Sequence, residues 1–201
     1  MAWHRPFFLL RFFYKKCIWN IPNSDEVFLT FDDGPDPQIT PWVINFLEQE
    51  NIKATFFCVG NNIKKEPEIF KLLKEKGHSI GHHSMNHENG FKTKFKAYVD
   101  SVSNSKKTSN SSLFRPPYGK IKPRQLKEVT RENKVIMWSW LSYDFSKKVP
   151  IRSILNNANK TIKKGDILVF HDNTKSEKRL KQILPQIVKL IKKKELKFGI
   201  L

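Results

Sequence analysis

Acidic residues are scarce in this chain. Across 201 residues, 19 Asp and Glu stand against 37 Lys and Arg, for a formal net charge of +18. Such an excess would suit nucleic acid, an anionic membrane surface or a phosphate-bearing wall polymer. Arginine is scarce as well, at seven residues. Nucleic-acid readers depend on its bidentate fork, and no helix-turn-helix, zinc-finger or aromatic RNA-binding pattern is present. The lysines fall on what read as solvent faces of helices, as in KLLKEKG and IVKLIKKKELK, so the charge reads as solvated surface and nucleic acid is not expected as a partner. Cysteine is limited to Cys17 and Cys58. Spacing does not indicate a bridge, and both read as buried thiols, which leaves the redox compartment open. No apolar run is long enough to cross a bilayer.

The opening stretch MAWHRPFFLLRFFYKKCIWNIP is broken by Arg11, Lys15 and Lys16. No small-residue cleavage site follows, so it makes a poor signal peptide. Residues 1–26 are expected to be a basic, aromatic segment packed on the domain. The alternative is peripheral contact with a membrane or an anionic cell-wall surface. Location is expected to be cytoplasmic or peripherally membrane-associated. Low-complexity tracts, heptads and internal repeats are absent. With sixteen Phe, residues 27–201 are enough for one sizeable core, and a monomer is expected.

What is present alternates in period. EVFLTF, KATFFCVG, HSIGHHS, SLF, VIMWSWL, DILVFHD and LKFGIL read as strands, and helical spacing fills the intervals. TPWVINFLEQEN is one such helix, with Thr40 expected as its N-cap and Pro41 in its first turn. SEKRLKQILPQIVKLIKKKE is another, with a kink expected at Pro185. Alternating strands and helices imply an α/β fold with a parallel sheet and helices outside. Polar groups cluster where strands run out: Asp32 and Asp33, His83 and His87, Arg115, Asp144, and His171. Five contributing strand ends favour a (β/α) barrel in which those ends meet on one face. About seven parallel strands are counted, so the barrel is expected to be distorted and need not close.

Asp32 and Asp33 lie side by side at the end of an apolar strand, where like charges repel and low dielectric worsens the repulsion. A cation would relieve it. His83 and His87 are four apart and would share a face on one helical turn, so both imidazoles could reach one ion. Two His and one Asp leave coordination positions open for water and substrate, as a catalytic site requires. The second aspartate would then stand free as a base. Spacing leaves open which aspartate does which. His82 should point away if His83 is a ligand, and His78 reads as structural.

TFDDGPD, HSMNH, RPPYG, WSWLSYDF and LVFHD, in this order and at these intervals, resemble the five motifs of the polysaccharide deacetylases, the NodB homology domain of carbohydrate esterase family four. The resemblance runs from about Val27 to the C-terminus. It implies Asp32 as general base, with Asp33, His83 and His87 as ligands of zinc, cobalt or nickel. It further implies Arg115 as the holder of the base and His171 as general acid. Pro116 and Tyr118 would line the groove, with the Tyr118 backbone N–H binding the oxyanion; Trp140, Leu141 or Phe145 would supply apolar contact. The implied activity is hydrolysis of N-acetyl groups from amino sugars of a glycan, peptidoglycan or chitin-like. An O-acetyl esterase or a glycan-binding pseudoenzyme are the alternatives. The fourth motif departs from D-x-x-D-W: Leu141 replaces its first acid and Phe145 its tryptophan. The missing acid puts the tuning of Arg115 or His171 in question.

Overall fold

Side-chain alternation along the strand Glu26–Asp32 sets the architecture. Val27, Leu29 and Phe31 enter one large core with helical side chains, while Phe28 enters a separate, smaller cluster on the opposite face. This is the period of two that a strand buried on both faces requires. The computed structural model, which describes residues 3–201, runs in the order α1 (Phe8–Phe13), β1 (Cys17–Ile18), β2 (Glu26–Asp32), α2 (Thr40–Gln49), β3 (Thr55–Cys58), α3 (Gly60–Lys65), α4 (Pro67–Glu75), β4 (Ser79–His82) and α5 (Phe95–Ser109). There follow β5 (Leu113–Phe114), a 3-10 turn (Pro117–Gly119), α6 (Pro123–Val129), β6 (Lys134–Ile136), β7 (Trp140–Leu141), α7 (Ile151–Thr161), β8 (Ile167–His171), α8 (Glu177–Lys193) and β9 (Lys197–Gly199).

The strands form one sheet in the order β1-β6-β5-β4-β3-β2-β8-β7, with β9 added on β2. Every strand pair is parallel. The sheet curls, because Phe28 of β2, Phe57 of β3, Ile136 of β6 and Ile167 of β8 meet in one cluster although β6 lies four places from β2. Among the described residues β1 and β7 do not pair, so the expected distorted, incomplete barrel is what forms. On the outer face α2, α4, α7 and α8 pack Val43, Leu47, Leu73, Ile154 and Leu184 against Leu29, Phe31, Phe56 and Phe170. Each such side chain, once fully buried, contributes about 1.5–3 kcal/mol.

Three local expectations meet a different outcome. VIMWSWL divides: β6 pairs with β5 and β1, then the chain crosses Met137–Ser139 and β7 pairs with β8 at the other end of the sheet. Arg115 takes the carbonyls of Ile136 and Met137 at that break, which removes them from any ladder. Thr40 opens α2 but does not cap it; its hydroxyl donates to Asp172 and accepts the Asp36 N–H. The third is the histidine pair, which no helical turn joins, since Ser84 and His87 both take positive φ.

Candidate active site

Parity along β2 and β8 brings two of the functional groups together. Asp32 and His171 are register partners at the C-terminal ends of adjacent parallel strands, and both face a cavity of about 550 Å³. By alternation Asp33 would point to the opposite face. It lies instead at φ 84, a left-handed conformation that turns the chain and keeps the second carboxylate on the cavity side. Long-range contacts hold that turn. Asn62 Nδ2 donates to the Asp33 carbonyl at 2.7 Å, Val59 N–H donates to Gly34 O at 2.9 Å, and Gly34 N–H donates to Asp172 Oδ1 at 3.2 Å. Glycine is required at position 34 for space, since a Cβ there would sit 2.2 Å from the Asp172 carboxylate.

The histidines come from the loop after β4. No helical turn joins them: Ser84 and His87 both take positive φ, 60° and 59°, and the Glu88 carboxylate closes the loop by accepting from the hydroxyls of Ser84 and Ser101. His83 Nδ1–H donates to the Arg115 carbonyl at 2.7 Å, which leaves Nε2 as the lone-pair nitrogen facing the cavity. Burial pushes the His83 pKa down to about 4, so the imidazole is neutral and ligand-ready. His82 points away, with Nε2 3.0 Å from Asn133 Oδ1. His78 is buried, and its Nδ1 accepts the Ala54 N–H.

Asp33 Oδ1 lies 3.6 Å from His83 Nε2 and 3.1 Å from His87 Nε2. The three ligand atoms fall within 4.8 Å of one another. A tetrahedral ion with bonds of about 2.0–2.1 Å separates its ligands by about 3.3 Å, so the residues fit a divalent cation. Asp33 Oδ1 is buried and accepts no hydrogen bond, while Asn173 Nδ2 takes Oδ2 at 2.6 Å. Burial would raise the Asp33 pKa, but the nearby His87, His171 and His83 outweigh it and hold the carboxyl well below the usual range. It is an anion with a spare oxygen aimed at two imidazoles.

Two buried ion pairs flank this triad. The Arg115 guanidinium, with no solvent exposure, donates to Asp32 Oδ1 at 2.6 Å and to Thr30 Oγ1 at 2.7 Å, and it lies 4.1 Å over the Phe57 ring. Carbonyl acceptors take its other nitrogens, so its charge is fully partnered. Asp144, equally buried, accepts the His171 backbone N–H at 2.7 Å and lies 2.8 Å from His171 Nδ1. Burial alone would lower the His171 pKa; the Asp144 carboxylate more than offsets it and, with Asp33 and Asp32, holds it up at about 9.

Pro116, Tyr118 and Leu141 line the cavity with these groups. Tyr118 takes φ 60 and sets its ring edge-on to His87 at 4.5 Å. Trp140 does not line it. The expected groove contact is corrected: Trp140 is completely buried in the main core, stacks on His4 and donates Nε1–H to Asn157. As a residue of the outer face of β7 it faces the helices, while Leu141, one position on, faces the cavity. Trp138 is the tryptophan on the cavity wall, seated over Gly119, where any Cβ would meet its ring at 2.6 Å. Asp172, Asn173 and Glu88 were not legible as site-building residues, because each acts through contacts with a distant loop. Leu141 leaves both ion pairs intact: Asp144 holds His171, and Arg115 holds Asp32 without help from position 141.

Comparison with known proteins agrees with this geometry. Residues 20–135 match the family model for polysaccharide deacetylase. The chain is 32% identical over 188 residues to a peptidoglycan-N-acetylglucosamine deacetylase of Bacillus cereus, covering 90% of this chain and 88% of that protein. Other curated relatives are longer: the chain spans 64% of a second Bacillus cereus deacetylase and 33% of one from Listeria monocytogenes. A crystal structure of a peptidoglycan N-acetylglucosamine deacetylase with 4-naphthalen-1-yl-N-oxidanyl-benzamide superposes with a TM-score of 0.82 at 33% identity, covering 98% of this chain and 94% of that one. A pseudoenzyme of carbohydrate esterase family four from Bacillus anthracis, 22% identical, shares the fold with a TM-score of 0.77, covering 92% of this chain and 66% of that one. The chain belongs to the polysaccharide deacetylase family.

Proposed function

We propose that this protein is a metal-dependent hydrolase that removes N-acetyl groups from amino sugars of peptidoglycan. The observation that carries the proposal is the convergence, in one cavity, of the Asp33–His83–His87 triad, the Arg115-held Asp32 and the Asp144-held His171. The names of the similar Bacillus cereus proteins supply the substrate class. A divalent ion, zinc or else cobalt or nickel, held by Asp33, His83 and His87 would polarise the acetyl carbonyl and lower the pKa of the attacking water.

The remaining steps belong to the chain. Asp32 accepts the proton of the attacking water, and Arg115 holds that carboxylate in place. The Tyr118 backbone N–H donates to the developing oxyanion, a contact whose loss typically costs about 100- to 1000-fold. The departing nitrogen is a poor leaving group until protonated. His171, charged at neutral pH through Asp144, donates that proton, a contribution of roughly 100- to 10000-fold. Leu141, Trp138 and Pro116 offer the sugar an apolar wall.

Leu141 is the one feature that favours a non-catalytic glycan binder. Acetate release from peptidoglycan fragments and chitin oligomers, with and without a chelator, separates the readings. Turnover that stops on chelation and returns with zinc is expected. Glycan binding without acetate release at saturating zinc would overturn the proposal. Faster release from O-acetylated than from N-acetylated sugars would make the protein an esterase.

A further inference from the structure

Large exposed apolar side chains are concentrated in one place. Of nine such residues among those described, six are Trp3, Phe7, Leu9, Leu10, Phe12 and Phe13. A patch of that kind marks an interaction surface. It is not a loose end of chain. Arg5 forms a 2.6 Å ion pair with the buried Asp166 and also donates to the Thr161 carbonyl. The His4 carbonyl accepts the Leu141 N–H at 2.8 Å, and the Tyr143 hydroxyl donates to the Trp3 carbonyl. At the far end the Tyr14 hydroxyl donates to Ile121 O, and β1 joins the sheet. The backbone between these fastenings is pinned, and the apolar side chains are nevertheless presented to solvent.

The rim of the patch is basic. Lys15 and Lys16 follow directly, and with Lys127 they border a hollow formed by Phe12, Phe13 and Leu126. Lys15 Nζ lies 4.3 Å over the Phe12 ring. None of these three lysines makes an ion pair among the described residues, and the chain as a whole carries +18. Aromatic and leucine side chains ringed by unpaired lysines have the composition of a surface that enters the headgroup boundary of a bilayer and pairs with its phosphates. No helix among the described residues is long and apolar enough to cross a membrane, so the contact is with one face of it.

We propose that Trp3–Lys16 is a docking surface for an anionic lipid bilayer. Charge complementarity selects that occupant: a second copy of this chain would set Lys15, Lys16 and Lys127 against the same lysines. Leu141 joins this segment to the cavity wall, so a docked molecule holds its cavity beside the lipid surface.

The test is co-sedimentation of the full chain with phosphatidylglycerol vesicles and with phosphatidylcholine vesicles. Binding to the anionic vesicles alone, weakened by salt, is expected. Phe12→Ser with Phe13→Ser should reduce the affinity by about tenfold or more, and Lys15→Glu with Lys16→Glu by at least about as much. Phe13→Ser alone, the most exposed position, is the fallback should the pair disturb folding. All variants should retain the wild-type circular dichroism and wild-type acetate release from soluble oligomers. Three results would overturn the proposal: no binding to phosphatidylglycerol, binding insensitive to the Phe substitutions, or lipid-free self-association that those substitutions abolish.

Discussion

Asp144→Asn removes one charge at the centre of the proposed mechanism. The change keeps the size of the side chain and one acceptor oxygen, so one of the two His171 N–H groups loses its acceptor, and it removes the anion that helps hold His171 up at about 9. Without it burial pulls the imidazole down towards its ordinary 6.5. At pH 7.5 the charged fraction then drops from roughly 97% towards about a tenth. That is a tenfold loss of competent acid before any loss of orientation. Deacetylation of N-acetylglucosamine oligomers should therefore fall by about 10- to 100-fold at pH 7.5. The alkaline limb of kcat/KM should move down by up to about two units. Part of the lift comes from Asp33 and Asp32, which a bound cation would offset, so the wild-type limb should lie between 6.5 and 9. The same pair is a stability device. A folded pKa above the unfolded value stabilises fully below pH 6.5 and is lost as pH rises towards 9. The Asn variant should therefore lose stability at pH 6 more than at pH 9.5. Rates on chitin oligomers and on 4-nitrophenyl acetate, measured across roughly pH 5.5 to 10, check the assignment. An unmoved alkaline limb, or equal loss on the activated ester, whose leaving group needs no proton, would refute the acid role of His171.

Three further outcomes are expected. Asp32→Asn should abolish acetate release while cation content stays at wild type by elemental analysis; loss of the cation would exchange the roles of Asp32 and Asp33. His83→Ala should strip the cation and remove the thermal shift that added zinc gives the wild type, and full occupancy in that variant would exclude it as a ligand. Trp140→Phe should lower stability by about 1–3 kcal/mol through lost volume and the lost Nε1–H bond to Asn157, with KM unchanged; a raised KM would return Trp140 to the groove.

Much of the site was legible because strands are simple. Five strand ends carrying Asp, His and Arg in a repeating α/β pattern point to one face of a curled parallel sheet, and the sheet delivers Asp32 beside His171 in register. The histidine pair was legible as a pair but not in its geometry, since positive φ at Ser84 and His87 does the work assigned to a helical turn. Trp138 and Trp140 could not be told apart by period, because the strand containing them breaks at the carbonyls Arg115 captures. The departure at Leu141 raised a question about tuning that has a spatial answer, the direct pairing of Asp144 with His171.

By itself the sequence determined which side chains gather where strands run out: two carboxylates, two imidazoles, an arginine and a further histidine, placed there by apolar periodicity. Only the tertiary structure decided how Asp33 turns back to the side of Asp32 and which tryptophan meets the cavity. It also decided that the basic, aromatic opening segment divides: Cys17 and Trp19 enter a core cluster, while Trp3, Phe7, Leu9, Leu10, Phe12 and Phe13 are exposed. The reason is range. Alternation is set by neighbours two residues away, whereas a left-handed turn or a captured carbonyl depends on contacts between residues 21 to 140 positions apart.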